Sequence, residues 1–285
     1  MERLRQHPVI GFVWRMVELY FDKRVSRSSA ELAYFLVLSF FPVLIWVNAI
    51  IGALHLDVIR LLDQAAGFIP NAAVSVLREY FHYISENQTP ALLAAGLLMT
   101  LYSASAAIRA LMDAMGDIYG RRAYSGIWEI VASVVFSVLF LLIIYLSLVV
   151  LLTGNWFFHL LESAIRHIPQ LSHFHLPWQW QWMRFLILFL LVMIFVMLIY
   201  RAAAPRSRPR PPVLLGAFLA SVALVASSMI FSWFIGMSSR YSLVYGSLAS
   251  VAILLVWLYL CGNILILGCC FNYLCFARRR DRQKS

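Results

Sequence analysis

Charge is what this sequence has least of. Only 13% of its 285 residues are Asp, Glu, Lys or Arg, against 62% apolar, whereas a soluble globular chain carries about 25% charged residues. That scarcity excludes a soluble single core. The stretches without charge run over 32–56, 87–108, 130–161, 185–200, 211–239 and 241–277, and nearly all can cross a bilayer, which takes about 20 apolar residues. The loops between them leave no room for a separate soluble domain of typical size. Cysteine is scarce as well. Its four copies, Cys261, Cys269, Cys270 and Cys275, fall within or just after the last apolar stretch, which excludes a disulfide framework in an outer domain. They lack the paired spacing of a zinc site and read as small packing residues.

What remains is an all-α, polytopic membrane protein: a single membrane domain over 1–285 with six transmembrane helices and amphipathic interfacial helices. The spans are expected at 33–54, 91–111, 130–152, 183–200, 213–235 and 248–271. Boundary chemistry supports them. Ser28 and Glu31 read as a capping box ahead of the first span, Thr89-Pro90 as a cap and first-turn proline ahead of the second, and Pro205 with Pro211-Pro212 as brackets around the fourth turn. Trp178, Trp180 and Trp182 precede the fourth span at alternate positions, where indoles favour the headgroup layer. Arg3 and Arg5 suggest a signal peptide, but Arg15, Glu18 and Asp22 interrupt the apolar stretch that follows and no small-residue cleavage pattern appears, so the N-terminus is expected to be retained.

Basic residues set the orientation, because cytoplasmic loops carry the excess. With both termini inside, 18 of the 23 Lys and Arg and 8 of the 13 carboxylates lie on the cytoplasmic face, which then carries the whole formal charge of +10. The Arg206, Arg208, Arg210 and Arg278-Arg279-Arg280 clusters therefore read as topology signals that meet anionic lipid. Nucleic acid is not expected as a partner, since basic and aromatic residues do not interleave. Residues 1–32 form a cytoplasmic interfacial segment; over Pro8 to Asp22, Val9, Phe12, Val13, Met16, Val17 and Tyr20 recur at helical spacing with Arg15, Glu18 and Asp22 set off from them, and this stretch is expected to lie in the inner-leaflet interface. The loop 55–90 is expected to be extracytoplasmic and helical, with stripes over 58–68 and 71–85, and 272–285 to be a basic cytoplasmic tail.

Polar residues inside spans are costly unless they face protein or water. Asn48, Tyr259, Asn263 and Asn272 are candidates for helix-to-helix bonds or for contact with a lipid headgroup, and Arg109 with Asp113, four apart, for an ion pair on one helix face. Arg201 is placed to attract a phosphate at the inner surface. Pro42 deprives the Leu38 carbonyl of its donor, so a kink is expected there. Gly216, Ala220, Ala223 and Ser227 form a small-residue stripe for close helix approach. His167, His173 and His175 could bind a metal or sense pH, although no carboxylate cluster accompanies them. Neither a metal nor a cofactor is expected.

A family resemblance covers nearly the entire chain. Ala30-Glu31-Leu32-Ala33-Tyr34-Phe35 with Leu38-Ser39-Phe40-Phe41-Pro42, then Tyr200 with Pro205, Leu215-Gly216-Ala217, Tyr245-Gly246-Ser247-Leu248 and Val256-Trp257-Leu258-Tyr259-Leu260, resembles in order the motifs of the YihY/BrkB family. The resemblance implies a six-helix protein of the bacterial inner membrane, associated with virulence and once labelled ribonuclease BN. Where that family often has Gly-Ala-Glu, this chain has Gly268-Cys269-Cys270. The ribonuclease label finds no support in the residues, because phosphodiester hydrolysis needs metal-binding groups or an acid–base pair on the cytoplasmic side, and those loops offer only His7 and scattered carboxylates. Two function classes fit: a facilitator of lipid or lipid-linked amphiphile movement in envelope biogenesis, and a noncatalytic scaffold for envelope proteins. A small-ion channel fits less well without a charged relay at the midplane. Membrane lipids are the expected partners, with self-association and envelope proteins as the protein partners open to such a bundle.

Overall fold

The computed structural model describes residues 8–53, 78–79, 82, 89–120, 126–152, 180–205, 211–237 and 247–284, with side chains left undescribed at several helix ends. The fold is helical throughout these residues: α1 (Pro8–Asp22), α2 (Val25–Ala53), α3 (Pro90–Tyr119), α4 (Ile127–Leu152), α5 (Trp180–Ala203), α6 (Leu214–Met237) and α7 (Ser247–Lys284). All but α1 contain a stretch long and apolar enough to cross a membrane, giving six candidate spans.

The helix starts follow from local chemistry. Pro90 opens α3 where its missing N–H is no loss, and the Thr89 carbonyl accepts from the Leu93 N–H at 3.1 Å. The first span departs from expectation. Its helix begins at Val25, which puts Ser28 inside the first turn with its N–H on the Arg24 carbonyl at 3.3 Å. The Ser28–Glu31 capping box is therefore not formed. The break lies earlier, at Arg24, whose φ of 50° interrupts the right-handed helix and costs about 1–2 kcal/mol in an L-residue. α3 continues past Leu111 to Tyr119, and α7 continues through the basic tail to Lys284, because neither stretch contains a proline to stop it. α2 runs unbroken through Pro42.

The spans close into a ring in chain order, α2 to α7, with α7 returning to α2. α3 leans inward and also meets α5 and α7. It is the most buried span, and the reason is its run of small residues, from Ser103 through Ala107 to Ala110 and Ala114, all buried. The core occupies one end of the ring. Among the described residues, the buried positions of α4 stop at Ser137 and those of α6 at Ser221, while those of α5 begin at Phe195 and those of α7 at Gly262. In α3 all but Gly96 lie from Thr100 onward. These positions mark the ends of the helices nearest the N-terminus of α2. In the opposite halves, apolar side chains such as Leu98, Met229, Ile230 and Trp233 are exposed.

Candidate functional site

The last helix carries the polar contacts that tie the packed end together. Helix α6 follows Pro211-Pro212 and starts behind Val213, a residue with no side-chain oxygen to cap the first-turn N–H groups. The cap comes from another helix. Asn272 of α7, 1% exposed, accepts from the Gly216 N–H at 2.9 Å, and its amide nitrogen donates to the Val213 carbonyl at 3.4 Å. Gly216 is required for this approach, since a Cβ there would collide with the Asn272 carboxamide. Two turns back along α7, the Tyr200 hydroxyl of α5 donates to the Leu265 carbonyl at 2.6 Å. A Cβ on Gly268 would strike that hydroxyl and come within 2.9 Å of the Ala220 Cβ. The small-residue stripe of α6 thus works in its first part only: Gly216 and Ala220, with Ala217 and Ser221, are buried, whereas Ala223 and Ser227 are half-buried.

A second set of contacts joins α7 to the N-terminal helices. Asn263 accepts from the Tyr20 hydroxyl at 3.0 Å and donates to the Tyr259 carbonyl at 2.8 Å. The Tyr259 hydroxyl meets Ser26 at 2.8 Å, and Gly262 lies against Ser29 and Leu32. Burial first, then the hydrogen bond with Tyr259, pushes the Tyr20 phenol above its ordinary value. Phe12 packs edge-on against Phe271 at 5.4 Å, beneath the Arg278 guanidinium at 4.8 Å. Ser105 and Ser133 bond across α3 and α4 at 2.8 Å.

These contacts sort the candidates read from the sequence. Asn263 and Asn272 each use both carboxamide ends inside the protein, so their geometry is that of helix ties. Tyr259 is half-buried beside them. Arg109 and Asp113 are half-buried on α3, and Arg201 is exposed in the last turn of α5, where a cation complements the helix dipole. Asn48 lies on the far half of α2, and its side chain falls outside the described residues. So do His167, His173 and His175, Arg206 to Arg210, and most of the loop 55–90, of which Arg78, Glu79 and His82 are described, as helical, besides Thr89 and Pro90 at the start of α3. Cys269 and Cys270 are buried, Cys261 and Cys275 half-buried, and none of the four is in a disulfide. Among the described residues no group of three or more His, Cys, Asp or Glu could hold a metal.

The apolar stripe of the N-terminal segment is divided. Phe12, Met16 and Tyr20 turn toward the protein, while Ile10, Val13, Trp14, Val17 and Phe21 form the exposed apolar face. The reason is tertiary: α1 has a partner helix, and periodicity alone does not say which apolar positions that partner takes. Tyr20, Ser26 and Tyr200 carry inter-helix hydrogen bonds that no sequence spacing marks. Tyr200 was visible only as a motif residue.

A six-span bundle with this ordered set of contacting residues has known relatives. The family profile for virulence factor BrkB matches residues 16–285. The chain belongs to the BrkB family. It is 27% identical over 274 residues to the putative ribonuclease-like protein YfkH of Bacillus subtilis, covering 95% of this chain and 97% of that one. Matches to UPF0761 membrane proteins are local: 40% identity over 55 residues in Vibrio cholerae, 19% of this chain and 18% of the relative, and 36% over 73 residues in Chromobacterium violaceum, 26% and 18%. No solved structure matches. With six apolar helices, BrkB membership makes this a multi-pass bacterial membrane protein.

Proposed function

We propose that this BrkB-family protein is a noncatalytic facilitator of lipid or lipid-linked amphiphile movement in the bacterial inner membrane. The observation that carries the reading is the one-ended core. Helices α1, α5 and α6 are tied to α7 through Asn263, Tyr200 and Asn272, and the stretches of α5 before Phe195, of α6 beyond Ser221 and of α7 before Gly262 have no buried residue among those described. A bundle closed at one end and loosely packed at the other offers a groove that a bilayer-resident molecule enters sideways. Thr100 and Ser221 support it. Both hydroxyls are buried without a hydrogen-bond partner among the described residues, and both sit where the packed half gives way, so they are polar groups in want of one. Asn48, on the far half of α2, is the remaining candidate for a headgroup entering from that side, and Arg109 and Arg201 are the candidates for the phosphate of one at the closed end.

Reconstitution tests this. In vesicles holding fluorescent phosphatidylethanolamine or phosphatidylglycerol, the protein should move label between leaflets faster than an unrelated six-span protein, and Asn48→Leu should slow it without changing the unfolding temperature. Folded protein that moves and binds no lipid above that control overturns the proposal. A scaffold role would then be sought in partners whose capture depends on residues 55–90.

A further inference from the structure

Helix α1 has three faces. At about 100° per residue, Phe12, Met16, Leu19, Tyr20 and Lys23 share one arc, and this arc docks, Phe12 on Phe271 and Tyr20 on Asn263. Arg15, Glu18 and Asp22 fall on a second, exposed arc. The third holds Ile10, Val13, Trp14, Val17 and Phe21, every one exposed, Phe21 by 72%. A ridge of five large apolar side chains on a fifteen-residue helix is more than a water-facing surface ordinarily keeps.

The register of docking says what covers the ridge. Phe12 and Tyr20 are eight residues apart, as are Phe271 and Asn263, so α1 runs antiparallel beside α7 over about 12 Å. That part of α7 lies in the second half of its candidate span, Val251–Arg278, toward the basic tail, and α2 begins its own span at Val25, three residues after α1 ends. The ridge therefore stands at the membrane boundary, beside two helices whose outer faces meet lipid. Around it lie the exposed cations Arg15, Arg24, Arg27 and Arg278.

We propose that α1 is seated in the interfacial layer of the bilayer, with the ridge from Ile10 to Phe21 directed toward the acyl chains and the surrounding arginines engaging anionic headgroups. A helix with one protein face, one polar face and one apolar face meets the three media available at that boundary. The proposal does not depend on lipid movement.

The test is site-directed spin labelling of the full chain. Val13→Cys, Val17→Cys and Glu18→Cys are labelled separately, the unsubstituted chain giving the background from native thiols. Each is reconstituted in vesicles of phosphatidylethanolamine with phosphatidylglycerol, and again in phosphatidylcholine alone. Labels at 13 and 17 should be several-fold more accessible to oxygen than to a water-soluble nickel chelate, and the label at 18 the reverse. The contrast should be greater with phosphatidylglycerol. Nickel access at 13 and 17 equal to that at 18 overturns the proposal. Spin–spin broadening at 13 and 17 that persists on dilution into lipid also overturns it, because the ridge would then be covered by a second copy of the chain.

Discussion

Asn272 shows how much one side chain can hold at this end of the bundle. It caps α6 from α7, and no residue at the start of α6 can replace it. Asn272→Leu should lower stability by about 1–2 kcal/mol, the scale of a lost cap, read as an earlier thermal unfolding in detergent; an unchanged midpoint would contradict the capping role. Gly268 makes a sharper case, since a Cβ there meets the Tyr200 hydroxyl. Gly268→Ala should cost about 1–3 kcal/mol by overpacking, and less in a Tyr200→Phe background, where the obstructing oxygen is gone. Equal costs in both backgrounds would show that the hydroxyl is not the obstacle. The asparagines were legible as interior polar residues, and Gly216 as part of a small-residue stripe. Their pairing was not, because Gly216 and Asn272 are brought together by helix crossing rather than by sequence spacing.

Between elements, the contacts joining α1 to α7 include the Phe12–Phe271 ring pair, the Arg278 guanidinium over Phe12 and the Tyr20 phenol hydrogen bond to Asn263, and the phenol makes that joint sensitive to alkali. The Tyr20 value is raised in the folded protein, so its contribution is complete below the ordinary value of 10.0 and is lost as pH rises through the raised one. The stability gap between the natural chain and Tyr20→Phe should hold up to about pH 10 and narrow above it. A gap that does not change with pH would remove Tyr20 from the joint. Helix boundaries at this scale were partly legible. Thr89-Pro90 starts α3 as its chemistry dictates, but Ser28 and Glu31 imitate a cap one turn inside a helix that Arg24 had already broken.

For the whole molecule, the distribution of charge leads to a prediction of topology. Single cysteines at 206 and 284 should react with a membrane-impermeant reagent only from the cytoplasmic side, and those at 82 and 173 only from outside. Labelling at 82 from the cytoplasm alone would reverse it. Composition by itself determined the membrane environment, the number of spans and the all-helical class, because a bilayer demands about 20 apolar residues per crossing and internally satisfied backbone. Tertiary structure alone decided that α3 is the central helix, that the core lies at one end, and which face of α1 docks. Lipid and protein interior are similarly apolar, so hydrophobic periodicity does not separate a side chain packed on a helix from one facing acyl chains; only the close fit of small residues and the pairing of buried polar groups across helices makes that distinction.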